Sequence, residues 1–245
     1  MVSSSVISII QARIGSTRLP GKILMDIAGE PMLQRVTERA LRATMLDKVV
    51  VATTDLPEDD RTVELAGNLG LDTYRGSSED VLERYYGAAE KFGGRVIVRI
   101  TSDCPLIDPK IIDLVVGGHL SSGADYTSST VKRTFPRGWD VEAFNIDAFK
   151  RARLGAKEYH QREHVTPYFR EHPEEFKVQS VEAEGKLRRP DLRLCVDEAD
   201  DLKLVRAVYD ELGADGNFTG EDIIDLFERR PELAKINAGV KQKVK

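Results

Sequence analysis

Val6-Ile7-Ser8-Ile9-Ile10-Gln11-Ala12-Arg13-Ile14-Gly15-Ser16-Thr17-Arg18-Leu19-Pro20-Gly21-Lys22 passes from an apolar β-type run into a loop with two glycines, two hydroxyls, a proline and three cations. Glycine lets a backbone approach an anion closely, hydroxyls and amides donate hydrogen bonds, and Arg and Lys neutralise charge. At the carboxyl end of a first strand, such a loop lies where an open α/β sheet places its phosphate ligand. It therefore points to a nucleotide triphosphate or pyrophosphate site. A solvated turn draws on the same Gly, Ser, Thr and Pro, but three cations with no acidic residue among them are unusual for a turn. A Walker-type P-loop is excluded by spacing, since that motif needs four residues between its glycines and Ser or Thr after the Lys. Here five residues separate Gly15 from Gly21, and Ile23 follows Lys22.

Outward from the loop, strand and helix patterns alternate. Helical spacing over Pro31–Ala43 leads to the β-branched run Lys48–Thr53, then a helix over Glu58–Leu69 and a short strand over Asp72–Tyr74. A helix over Asp80–Phe92, with Ser77 or Ser78 as its cap, precedes a buried strand over Arg95–Ile100. This alternation up to about residue 120 predicts a parallel sheet wound by helices. From Asp125 the rhythm changes. Strand-like pieces at 124–128 and 141–145 are split by a polar stretch, and helices are expected over Asp147–Leu154 and Glu158–His172. Phe176–Val181 and Arg193–Val196 read as strands, Asp200–Leu212 and Glu221–Arg229 as helices, and the lysine-rich tail as frayed. The expected organisation is one domain over 1–245: a nucleotide-binding half at about 6–122, an acceptor and dimer half at about 123–212, and a C-terminal helix and tail at 213–245.

With 245 residues, 41% of them hydrophobic, the chain can bury one large α/β core with a small annex. Its net charge of −5 disfavours nucleic acid, which a basic surface would bind. A local positive loop in an acidic chain suits a small polyanion instead. Cys104 and Cys195 stand far apart, without the spacing of a disulfide framework or a zinc site. No apolar run approaches a membrane span and no leader pattern opens the chain, so a soluble, cytoplasmic protein is expected.

Asp103 follows the buried strand ending at Ile100, and Asp197 follows Leu194-Cys195-Val196. Two isolated carboxylates at strand ends beside a triphosphate site match what magnesium needs: few carboxylates, with phosphate oxygens and water completing its octahedron. The competing reading makes each Asp the cap of the following helix. His160 and His164 are spaced i, i+4, but no third metal ligand accompanies them, and a solvated or substrate-facing helix accounts for them as well. Phe135-Pro136-Arg137-Gly138-Trp139-Asp140-Val141-Glu142 suits either a sugar pocket or a surface hairpin.

The run QARIGSTRLPGK resembles the first motif of the cytidylyltransferases that make CMP-activated sugar acids, including the acylneuraminate and Kdo enzymes. VVVATTD (49–55), RGSSEDVLERYY (75–86), VRITSDCPLIDP (98–109), TFPRGWDVEAF (134–144), REHVTPY (162–168) and CVDEADD (195–201) extend the resemblance, in order, over roughly residues 6–210. More closely, the whole chain resembles the branch of spore coat polysaccharide biosynthesis protein F. Cys104 stands where the Kdo enzymes carry an acidic residue.

The resemblance implies a nucleotide-diphospho-sugar transferase fold, an α/β, Rossmann-like, mostly parallel mixed sheet flanked by helices. It also implies CTP as nucleotide and magnesium as cofactor. Residue by residue, it makes Arg13, Ser16, Arg18 and Lys22 the triphosphate ligands, with backbone amides around Ala12 and Gly15. It makes Asp103 and Asp197 the metal ligands, and puts Arg75, Ser77 and Asp80 near the nucleoside. The implied reaction is attack of a sugar hydroxyl on the α-phosphorus of CTP, with Arg13, Lys22 and Asp103 as its catalytic residues. Arg137, Asp140, Glu142, Arg162 and His164 are the candidates for acceptor recognition, an arginine there suiting a sugar carboxylate or phosphate. A homodimer is expected, with the segment after residue 125 exchanged between subunits. The alternatives are a metal-dependent glycosyltransferase of the same fold, for which no D-x-D element stands at a strand end, and a non-catalytic nucleotide-binding protein.

Overall fold

The structure is a computed structural model that describes residues 5–242. The opening run forms β1 (Val6–Gln11), and the cationic loop leads through a 3-10 turn at Lys22–Leu24 to a two-stranded ribbon, β2 (Asp26–Ile27) and β3 (Glu30–Pro31). Then come α1 (Met32–Leu41), β4 (Lys48–Thr54), α2 (Asp60–Asn68), β5 (Asp72–Gly76), α3 (Val81–Lys91), β6 (Val96–Thr101) and α4 (Pro109–Ser122). The later part adds β7 (Tyr126–Ser128), β8 (Glu142–Asn145), α5 (Ile146–Gly155), α6 (Tyr159–His164), α7 (Pro167–Glu171), β9 (Val178–Ser180), α8 (Ala199–Leu212) and α9 (Gly220–Arg229).

Seven strands make one sheet in the order β5-β4-β1-β6-β8-β7-β9. The pairings make β8 the strand that runs against the other six. The expected mostly parallel mixed α/β sheet is therefore present. β1 lies between β4 and β6, so the chain leaves it toward one side and returns on the other. The crevice above such a switch point is where open α/β sheets bind ligands.

The β-branched runs form strands because both faces of the sheet are covered. Side chains alternate along a strand: Val6 and Ile10 pack beneath α1, α4, α8 and α9, whereas Ile7 and Ile9 pack against α3 and α5. At about 25 cal/mol per Å² of apolar surface buried, these two layers supply most of the folding drive. Among the described residues, no helix is long and apolar enough to cross a membrane.

Several expectations are corrected. Asp80, not Ser77 or Ser78, caps α3, its carboxylate accepting from Glu83 N at 2.9 Å; Ser77 Oγ instead accepts from the amides of Glu79 and Asp80. The single helix expected over Glu158–His172 is broken into α6 and α7, with Val165 at φ 73°. Pro167 explains the break, since proline has no amide to donate back into a preceding turn and suits the first position of a new helix, where it stands in α7. Arg193–Val196 makes only one bridge, Arg137 to Arg193, and no strand. The tail is not frayed through Gln242. It turns at Pro231–Lys235 and buries Leu233 and Asn237; residues 243–245 lie outside the described residues. In the 135–142 stretch Phe135 and Trp139 are core residues, Trp139 Nε1 donating to Leu106 O at 2.7 Å, so neither lines an open sugar pocket or a surface hairpin.

Candidate active site

The loop after β1 is held from its start. Ala12 N continues the ladder to Ala52 O at 3.1 Å, Ile14 N donates to Asp59 Oδ1 at 2.8 Å, and Gly21 N closes the loop on Ile14 O at 3.0 Å. A Cβ on Gly15 would come within 2.9 Å of Glu58 Oε1, the far end of an exposed side chain that can give way. The closed loop delivers Lys22 into the crevice. Its ammonium donates to Asp103 Oδ2 (2.9 Å), Val196 O (2.7 Å) and Asp197 Oδ1 (3.2 Å). Arg18 Nη2 reaches the same Asp197 oxygen at 2.7 Å, while its Nη1 is buried with no partner among the described residues.

Asp103 and Asp197 thus converge. Val196 N donates to Asp103 O at 2.8 Å and pins the two segments together. Neither Asp caps a helix: Asp108 caps α4, accepting from Lys110 N at 2.6 Å, and Glu198 stands at the N-cap of α8. Burial alone would raise the Asp103 carboxyl, but the Lys22 ammonium and hydrogen bonds from Lys22, Thr101 and Cys104 hold it at about 2. Its contribution to stability is therefore present above the ordinary 3.8 and is lost as pH falls through about 2. Asp197 is also lowered, burial and the charge of Asp103 being outweighed by Lys22, Arg193 and Arg18. Burial opposes the charge on Lys22, yet the two carboxylates raise it. The thiols of Cys104 and Cys195 are buried and pushed well up, unsuited to nucleophilic work.

Around Asp197 lies a bracket that the sequence reading missed. Arg193 Nη2 binds Asp197 Oδ2 at 2.7 Å and Arg193 Nε binds Asp201 Oδ1 at 2.9 Å, while Asp201 Oδ2 accepts from Asp197 N at 2.9 Å. The tail closes the bracket: Asn237 Nδ2 donates to Asp201 Oδ1 (2.9 Å) and to Arg193 O (3.0 Å), and Gln242 Oε1 accepts from Arg193 Nη1 (2.6 Å). The i, i+4 spacing of Arg193 and Asp197 was no signal for it, since that rule applies on a helix and this segment is not helical. Gly138 sets the bracket's height. It has φ 105°, and a Cβ there would lie 2.7 Å from both Cys195 N and the Leu194 carbonyl carbon. Gly138→Ala is expected to destabilise the protein by about 1–3 kcal/mol, the scale of such backbone strain. Urea denaturation checks this, and an unchanged midpoint would refute it.

The remaining candidates distribute as follows. Arg13 Nη1 reaches Ser78 O at 3.3 Å, across a cleft of about 250 Å³ that Gly15, Thr54, Glu79, Tyr159 and Glu163 help to line. Arg75 ties strand ends together through Thr54 O (3.0 Å), Leu56 O (2.9 Å) and Asp60 (2.6 Å). Asp80, read with the nucleoside, and Arg162, read with the acceptor, are partners of each other, Arg162 Nε lying 2.9 Å from Asp80 Oδ2. Asp140 holds Arg133 at 2.8 and 3.1 Å. Glu142 is buried beneath the crevice, ion-paired to Arg99 and accepting from Tyr126 Oη (2.5 Å) and Thr166 Oγ1 (2.6 Å). Arg137 meets Leu192 and Leu194 through its backbone, and its guanidinium has no partner among the described residues. His164 lies 3.8 Å from Glu163, while His160 binds Glu171 at 2.8 Å and does not join it at a common ligand point.

Residues 7–221 match a family model described as cytidylyltransferase. The chain is 41% identical over 241 residues to the uncharacterized protein MJ1063 of Methanocaldococcus jannaschii, covering 97% of this chain and 96% of that one. It is 34% identical over 236 residues to the spore coat polysaccharide biosynthesis protein SpsF of Bacillus subtilis, covering 94% and 97%. A solved cytidylyltransferase from Leptospira borgpetersenii superposes with a TM-score of 0.90 at 32% identity, over 98% of this chain and 99% of that one. With the cationic loop and the paired aspartates at the head of a switch-point sheet, this match places the chain in the cytidylyltransferase family, as a nucleotidyltransferase.

Proposed function

We propose that the enzyme activates a sugar or sugar acid with CTP, giving a CMP-sugar and pyrophosphate for a surface polysaccharide. The convergence of Lys22 and Arg18 with Asp103 and Asp197 at the crevice carries this reading. The spore coat polysaccharide name of the Bacillus subtilis relative supports the pathway. In the reaction a sugar hydroxyl oxygen bonds to the α-phosphorus, the bond from that phosphorus to pyrophosphate breaks, and the hydroxyl proton leaves to solvent. Catalysis of this kind rests on positioning and on charge stabilisation at the leaving group.

Lys22 and Arg18 supply that charge to the β- and γ-phosphates, and Arg13 lies beside the reacting phosphates. The donor set at Asp103 and Asp197 suits magnesium, because two carboxylates meet at one cationic point and leave room in the shell for phosphate oxygens and water. Bound there, the ion would neutralise phosphate charge and help orient the triphosphate. Arg137, with its guanidinium unpaired among the described residues, is the acceptor-side group best suited to a sugar carboxylate.

The test is a coupled pyrophosphate-release assay with CTP, magnesium and a panel of sugar acids and neutral sugars. Release that needs both CTP and one acceptor class is the expected result. If no acceptor elicits release above the CTP-only background, the reading fails.

A further inference from the structure

Groups expected to serve different partners are found serving each other. An ammonium has three donors, and Lys22 places all three, on Asp103 Oδ2, Val196 O and Asp197 Oδ1. While it stays there, it has none left for a phosphate oxygen. Arg18 shares Asp197 Oδ1, with its Nη1 buried and unpartnered among the described residues. Both carboxylates therefore already carry a cation on an inward oxygen. Arg193 holds the other oxygen of Asp197, and Thr101 Oγ1 donates to the other oxygen of Asp103 at 2.6 Å. Those outer contacts fix the carboxylates while the inner oxygens face the loop cations.

We propose that Lys22 is a resident surrogate cation. In the nucleotide-free protein its ammonium, with Arg18, neutralises the Asp103–Asp197 pair. Binding of a divalent cation and a triphosphate is then an exchange: Lys22 and Arg18 pass to phosphate and leave Asp103 and Asp197, which would hold the cation in their place. The carboxylates stay neutralised throughout, and two positive charges are released to the incoming polyanion. The metal and the nucleotide thus each make room for the other, and each binds poorly alone. The proposal rests on the reading of Asp103 and Asp197 as metal ligands.

The test measures Mn2+ binding to nucleotide-free protein by the electron paramagnetic resonance of the free ion. Lys22→Met is expected to bind Mn2+ at least about 10-fold more tightly than wild type, since a unit charge is removed from within a few ångströms of the ligand oxygens. Arg13→Met removes the same charge from a residue that touches neither carboxylate. It is expected to change Mn2+ affinity by less than about 2-fold, because solvent and salt screen it. In the reverse direction, Asp197→Asn is expected to bind CTP in EDTA more tightly than wild type. That arm decides the matter if circular dichroism finds Lys22→Met unfolded.

No gain of Mn2+ affinity in folded Lys22→Met, an equal gain in Arg13→Met, or no gain of metal-free CTP affinity in Asp197→Asn each overturns the exchange. Asp103→Asn separates the two readings. If it keeps wild-type Mn2+ affinity, the metal-ligand reading falls and takes the exchange with it. If it loses Mn2+ while Lys22→Met gains none, only the exchange falls.

Discussion

Lys22→Ala and Asp103→Asn are each expected to lower the turnover number by at least about 100-fold in the pyrophosphate-release assay, the scale for removing a preorganised charge-stabilising group. Lys22 is the cation that the loop buries deepest, at 9% exposure, so in the proposed reaction water cannot substitute for its charge at the leaving group. Asp103 is held as a carboxylate at about 2, so its charge is in place at any working pH, and Asn removes it with little change of shape. The loss should fall on kcat as well as on kcat/KM, because the charge on the leaving group develops in the transition state. Lys22→Arg is not expected to restore the rate. A planar guanidinium is wider than an ammonium and spreads its donors, so it does not deliver the charge at the same buried point. A near-normal rate in either primary variant would remove that residue from the mechanism.

The second large effect is on stability. Glu142→Ala is expected to lose about 3–5 kcal/mol, because it leaves the Arg99 guanidinium buried without its counter-charge. Tyr126 Oη and Thr166 Oγ1 lose their acceptor as well. Urea unfolding at neutral pH measures the loss, and an Arg99→Met partner variant should recover part of it in a double-mutant cycle. The sign with pH follows from the depressed Glu142 carboxyl, on which the Arg99 charge and the hydrogen bonds outweigh burial. The contribution is present above the ordinary 4.5 and is lost as pH falls through the lower folded value. The gap between wild type and Glu142→Ala should therefore narrow on acidification; a constant gap would contradict the ion-pair account.

The first half of the fold was legible because its strands are continuous β-branched runs and its helices are amphipathic. Val49-Val50-Val51 admits little other than a strand buried on both faces. The loop's position was legible too, since the apolar run before it stops where β1 ends and the loop leaves the sheet at a strand's carboxyl end. What stayed hidden was convergence. Lys22 and Val196 are 174 residues apart in the chain, and no local pattern reports that β6 and the segment before α8 end at one point. Arg193 was read as part of a short strand, and no periodic pattern brings its guanidinium round to Asp197. Glu142 shows a different failure. A charged residue in a polar stretch reads as exposed, and only the antiparallel pairing of β8 with β6, which sets Arg99 opposite Glu142, reveals it as an internal counter-ion. Pro167 was a visible breaker within the segment expected to be one helix, and the charge-rich run around it masked the break.

The bracket around Asp197 has a consequence for substitutions in the tail. Asn237 holds Asp201 and the Arg193 carbonyl, Gln242 holds the Arg193 guanidinium, and Arg193 and Asp201 in turn hold Asp197. A substitution at Asn237 or Gln242 can therefore reach the Asp197 carboxylate without touching it, by freeing Arg193 or Asp201 to shift.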